Sequence, residues 1–146
     1  MKRRTLGLLA MAALVVGLLV PGTAVAAPKV TTFLFTMTGD AVVPGPGDAD
    51  GAANVAISLW FQRPSHLCVG LGGVQGVARP FTAIELHRAP AGETGDVVAT
   101  LTDNPFGLCT DVDKKVLQDI ESNPQLYYLD AHTEEFPDGA IRGQLQ

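Results

Sequence analysis

The stretch DAHTEEFPDGAIRGQL, residues 130–145, decides how the chain is read. Its first three residues end a strand expected over Leu126 to His132, in which side chains alternate between two faces. Pro137-Asp138-Gly139 then supplies turn chemistry: a fixed φ, a carboxylate able to bond its own backbone, and a residue free to take positive φ. Ala140 to Leu145 resumes as a strand. The expectation is a β-hairpin that closes an antiparallel sheet and carries His132 two residues from Asp130, on the same face.

Upstream, the same signals recur. Val30 to Thr38 is rich in β-branched and aromatic residues and stops at Gly39-Asp40. Pro44-Gly45-Pro46-Gly47 permits only a loop. Ala53 to Phe61 places Val55, Ile57, Leu59 and Phe61 on one face, the pattern of a half-buried antiparallel strand. His66 to Val74 sets Leu67, Val69 and Leu71 opposite Cys68. Two further strands, Phe81 to His87 and Asp96 to Leu101, flank the turn-rich Ala89-Pro90-Ala91-Gly92. A single helix is expected between Thr110, as its cap, and Asn123-Pro124, with Val112, Val116, Leu117 and Ile120 at helical spacing. About seven short strands with frequent turns point to a Greek-key β-sandwich or a partly closed barrel.

The N-terminus has a different character. Lys2, Arg3 and Arg4 precede 15 apolar residues from Leu6 to Val20, and Ala24-Val25-Ala26 offers the small residues that a signal peptidase needs. The run is shorter than the ~20 residues that span a bilayer. Residues 1–26 are therefore expected to be a signal peptide, with a single domain over residues 27–146 and no membrane insertion after cleavage. Removing the three leader cations takes the formal charge from −5 to −8. So acidic a domain repels phosphate backbones and anionic headgroups, which argues against nucleic acid and membrane surfaces as partners. An extracellular or cell-envelope partner, or a cation, suits it better.

Cys68 and Cys109 are the only two cysteines. In an oxidising compartment an even count argues for a disulfide between them. Their separation of 41 positions corresponds to roughly 4 kcal/mol of chain-entropy stabilisation. Pairing also removes the best nucleophiles. Ser58, Ser65 and Ser122 lie in no G-x-S-x-G elbow, and no phosphate loop or dinucleotide fingerprint occurs. No catalytic residue is assigned.

Two pairs remain. Glu85 and His87 share a face of one strand by the two-residue period, and Asp130 and His132 share a face of another. Were those strands neighbours, two imidazoles and two carboxylates would converge on a binding surface. Glu85, His87 and His132 would then be metal ligands, since imidazole nitrogen and carboxylate oxygen suit zinc or copper. Acid–base chemistry and a plain polar network are the other readings of the same set. Asp48-x-Asp50-Gly51 resembles the opening of a calcium loop but lacks the later acidic ligands. His66 and Glu134-Glu135 are expected to be solvated, and Arg142 to form a cross-strand ion pair.

Taken together, Tyr127-Tyr128, Leu129-Asp130-Ala131-His132-Thr133, Phe136-Pro137 and Ile141-Arg142-Gly143-Gln144-Leu145 resemble the CHRD domain, the module named for its repeats in chordin. Ile84-Glu85-Leu86-His87 resembles the family's upstream Ala-His-Ile-His stretch, with Glu85 in place of the first histidine, and Ala89 stands where the family usually has glycine. The likeness spans roughly Val30 to Leu145 and implies an all-β, Greek-key immunoglobulin-like β-sandwich with one short helix. It implies little chemistry. The expected function is that of an exported, non-catalytic binding or structural module, without a firm cofactor. The alternative is a zinc- or copper-binding domain with redox or hydrolytic activity, and a scaffold or adhesion role in the cell envelope is a third.

Overall fold

The computed structural model describes residues 26–104 and 107–146. Except for Ala26, the expected leader lies outside these residues. No helix among the described residues is long and apolar enough to cross a membrane. Among the described residues eight strands form: β1 (Val30–Thr38), β2 (Ala52–Trp60), β3 (His66–Gln75), β4 (Ala83–Arg88), β5 (Asp96–Asn104), β6 (Gly107–Asp111), β7 (Tyr127–His132) and β8 (Ile141–Gln144). An α-helix, α1 (Lys114–Ser122), stands between β6 and β7.

All ladders are antiparallel, and the strands lie in the order β1-β2-β3-β6-β5-β4-β7-β8. Strands β4, β5 and β6 follow one another by hairpins, and β7 then returns beside β4, a Greek-key path of four strands. The immunoglobulin-like sandwich expected from the sequence needs correcting here. Instead of two packed sheets there is one sheet, which curls until β8 meets β1 at the single register pair Thr38–Arg142. That pair closes the sheet on itself at the Thr38 end of β1. Gly143 makes the close approach there, since a Cβ would stand 2.5 Å from the Thr36 carbonyl oxygen.

The alternation read in the sequence sorts the two faces. Val55, Ile57 and Leu59 of β2, Leu67 and Val69 of β3, Ile84 and Leu86 of β4, and Leu129 and Ala131 of β7 point inward and are buried together. Helix α1 closes one end by adding Leu117 and Ile120 to that core. Its outer side is tied down by Lys29 and Thr31 donating to Glu121, and by Tyr127 and Arg88 donating to Asp119.

The expected helix start also needs correcting. Thr110 does not cap the helix; it pairs with Leu67 in the β3–β6 ladder. Asp113 is the cap, its carboxylate accepting the Lys115 N–H at 2.7 Å. The reason is the neighbouring ladder: Cys68 and Cys109 are direct register partners, with Cα atoms 4.1 Å apart. The ladder they sit in runs on to the His66–Asp111 pair, which holds Thr110 in extended backbone.

Candidate metal centre

Strands β4 and β7 are neighbours, with Glu85 opposite Asp130 and Ala83 opposite His132. Leu86 and Leu129, opposite each other, are fully buried, so the alternate residues of both strands are forced to the outer face of the wall. Glu85, His87, Asp130 and His132 therefore meet. One ligand atom from each lies within 4.8 Å of the others.

The individual contacts are close. Asp130 Oδ1 lies 3.1 Å from His132 Nε2 and 3.2 Å from His87 Nε2. Glu85 Oε2 lies 3.6 Å from His87 Nε2 and 3.8 Å from His132 Nε2. Four donors bonded to one tetrahedral ion at ~2.0–2.2 Å stand about 3.3–3.6 Å apart. These four edges fall on or near that spacing. Side-chain exposures run from 10% at Asp130 to 22% at Glu85, so solvent reaches the cluster although it is mostly dehydrated.

A strap covers it. The β4–β5 connection, residues 89–95, folds back over the outer face, where ordinary sheet surface would be wet. The Gly95 carbonyl accepts from His87 Nδ1 at 2.9 Å, the Glu93 carbonyl accepts from Arg142 at 2.7 Å, and the Ala89 carbonyl accepts from Gln144 at 3.0 Å. Gly95 also donates its N–H to the Tyr128 hydroxyl at 3.3 Å. Only glycine fits there, because a Cβ would lie 2.0 Å from the Arg88 carbonyl oxygen. On the other side the Pro137 carbonyl accepts from His132 Nδ1 at 2.9 Å.

These backbone carbonyls select a tautomer. A carbonyl only accepts, so Nδ1 of each ring must carry a hydrogen. In the neutral imidazole that leaves the lone pair on Nε2, and both Nε2 atoms face the carboxylates. His87 Nε2 is buried and, despite its nearness to Asp130, makes no aligned hydrogen bond. An imidazole whose far nitrogen is pinned by a carbonyl while the near one is left uncommitted is the arrangement of a metal-binding histidine.

Without an ion, the same atoms form an ionic network. The hydrogen bond to Asp130, which outweighs burial, pushes His132 up to about 9. Burial alone would lower the His87 imidazole, but Asp130, the Gly95 carbonyl and Glu85 raise it overall. Burial likewise opposes ionisation of Asp130, yet the two imidazoles hold its carboxyl below the usual carboxylate range.

The family model for the CHRD domain matches residues 33–145, nearly all of the described chain. The chain belongs to the CHRD domain family. No curated protein and no solved structure matches it.

Within this CHRD domain the other residues singled out in the sequence stay apart from the cluster. Asp48 is buried and its carboxyl is raised, by burial first and then by Asp50, but among the described residues the two gather no third ligand. His66 stacks on Trp60 with ring centroids 5.6 Å apart, and Glu134 and Glu135 are exposed. Arg142 stands opposite Asp130 in register without pairing to it. Its guanidinium turns instead to the Glu93 carbonyl and to the face of Tyr128, 3.4 Å from the ring centroid.

Sequence reasoning put Asp130 on the candidate binding surface but named only Glu85, His87 and His132 as metal ligands, though the Asp130 carboxylate is the one closest to both histidines. It also passed over Tyr128, Gly95 and Gln144. Alternation within β7 puts Tyr128 on the face of Asp130 and His132, and the β7–β8 register sets Gln144 opposite it. Nothing local showed that this face would be covered.

Proposed function

We propose that this CHRD domain is an exported binding module whose ligand is a divalent transition-metal ion, zinc or copper, held by Glu85, His87, Asp130 and His132. One observation carries the reading. Two histidines have Nδ1 committed to backbone carbonyls, and their Nε2 atoms converge with two carboxylate oxygens, all four atoms within 4.8 Å of one another. Two nitrogens and two oxygens suit Zn²⁺ or Cu²⁺ better than soft Cu⁺, which prefers sulfur. Two carboxylates also neutralise a doubly charged ion. Four protein ligands make a closed set of the kind found in zinc sites that hold structure, and this favours a non-enzymatic role. The expected leader and the Cys68–Cys109 bond support placing the domain outside the cytoplasm, where the bond persists.

The test is metal analysis and calorimetric titration of protein purified without a histidine tag, alongside His87→Ala and His132→Ala. One equivalent of zinc or copper is expected for the parent protein, with loss of that binding in both variants. Absence of stoichiometric uptake by the parent protein, or unchanged uptake by both variants, would overturn the reading. The four residues would then be a polar brace between β4 and β7. Fractionation of the producing cells tests export, and recovery in the cytoplasm would overturn that part.

A further inference from the structure

We propose that Tyr128 is a positioning residue for the metal site, clamped by Arg142 so that it holds the His87 ring with Nε2 aimed at the ion; this rests on the metal-binding reading above. His87 and Tyr128 are register partners on β4 and β7. Strand spacing of about 4.8 Å therefore brings their rings face to face. The centroids are 4.8 Å apart and the planes 3° from parallel. An imidazole can still swing about its Cβ–Cγ bond when only one nitrogen is tied. The Gly95 carbonyl ties Nδ1, and the Tyr128 face removes the remaining swing.

Tyr128 is itself held from three directions. His87 lies against its ring, its hydroxyl accepts the Gly95 N–H, and the Arg142 guanidinium carbon sits 3.4 Å from its centroid. Gly95 thus grips both members of the stack, His87 through its carbonyl and Tyr128 through its N–H. Arg142 is 3% exposed and has no carboxylate within ion-pairing distance among the described residues. Its Nη2 is anchored to Glu93, while Nη1 is buried without a hydrogen-bond partner. Burying a guanidinium under those terms is costly. The aromatic face and the nearby Asp130 charge are what offset that cost, so the cation is locked onto Tyr128 rather than free to leave. His132 has no such stack among the described residues; its ring is held only by Pro137 and Asp130.

Cobalt(II) serves as the probe, because its visible absorption reports ligand geometry as well as occupancy. The untagged protein is titrated with cobalt beside Tyr128→Phe, Tyr128→Leu and Arg142→Gln, with fold and disulfide verified in each. Tyr128→Leu removes the stack and is expected to weaken binding by roughly 10–100-fold, the usual cost of losing an outer-shell partner, and to alter the bound spectrum. Tyr128→Phe keeps the stack and should retain the parent spectrum. Arg142→Gln removes the clamp without emptying the space under the strap, and should alter the spectrum even if Tyr128→Leu does not fold. A folded Tyr128→Leu with parent affinity and spectrum overturns the proposal while leaving the metal reading intact. So does an unaltered Arg142→Gln when the leucine variant is unfolded. Failure of the parent protein to bind cobalt, zinc or copper overturns both.

Discussion

His87 and His132, on neighbouring strands, turn their Nε2 atoms to the same Asp130 oxygen, at 3.2 and 3.1 Å. Two imidazoles on one carboxylate oxygen are more than a buried polar network requires, since a single donor would satisfy Asp130 in that direction. The arrangement does fit a place where a cation sits between the two rings and the carboxylates. Most of what can be measured follows from that exchange.

The first consequence is proton release. Below pH 9 the metal-free protein holds a proton on His132, which an incoming ion must displace. Zinc affinity is expected to rise from pH 6 to pH 9. Calorimetric heats should also change with the ionisation enthalpy of the buffer. Uptake with no buffer dependence at pH 7 would show that His132 is not displaced.

The stability of the metal-free protein should carry the opposite sign on its alkaline side. His132 is raised from 6.5 to about 9 in the folded state, so its contribution is complete below pH 6.5 and disappears as pH rises through 9. Asp130 is lowered, so its contribution is present above the ordinary carboxylate value of 3.8 and is lost as pH falls through the lower folded value. Denaturant midpoints measured from pH 2 to pH 10 should peak between those limits. In His132→Ala the alkaline loss should shrink, leaving the part that the raised His87 imidazole contributes.

Bound metal should stabilise the fold. An ion that binds the native state alone adds about 2.7 kcal/mol when its free concentration is 100 times Kd. A zinc-dependent rise in Tm, reversed by a chelator and missing in His87→Ala, is the expected result of a thermal scan.

The disulfide should act on stability and leave the site alone. Cys68 and Cys109 join β3 to β6, neither of which contributes to the cluster. Replacing both by serine should cost roughly 4 kcal/mol in denaturant unfolding. Zinc affinity under native conditions should stay the same.

Leu86 separates the two roles of β4. It is fully buried between the outward-facing Glu85 and His87. Leu86→Ala should lose about 2–5 kcal/mol by leaving a cavity, whereas Glu85→Gln should weaken zinc binding and scarcely alter the denaturant midpoint at neutral pH.

Much of this was legible in the residues. The alternation of Val55, Ile57 and Leu59 assigned a face to each, and all three are buried. The pairs Glu85/His87 and Asp130/His132 could be placed on common faces because the two-residue period is a local property of extended backbone. The cysteine count led to the disulfide by compartment chemistry, and the closing hairpin followed from Pro137-Asp138-Gly139.

Tertiary structure decided the rest. Whether β4 lies beside β7 is a matter of long-range register, set by which apolar faces fill one core, and no window of sequence contains both strands. That core also bends a single sheet until β8 reaches β1, where strand patterns alone were compatible with two packed sheets. The β6 strand took Thr110 from the helix because its ladder with β3 runs on to the His66–Asp111 pair. The strap over the outer face is held by backbone carbonyls, which have no sequence signature. With it came the tautomer of His87 and the burial of Tyr128 and Arg142, while the Pro137 carbonyl of the β7–β8 connection fixed the tautomer of His132. Local alternation settles which side chains share a face; the closed sheet makes the two pairs meet, and the carbonyls of Gly95 and Pro137 choose which nitrogen points forward.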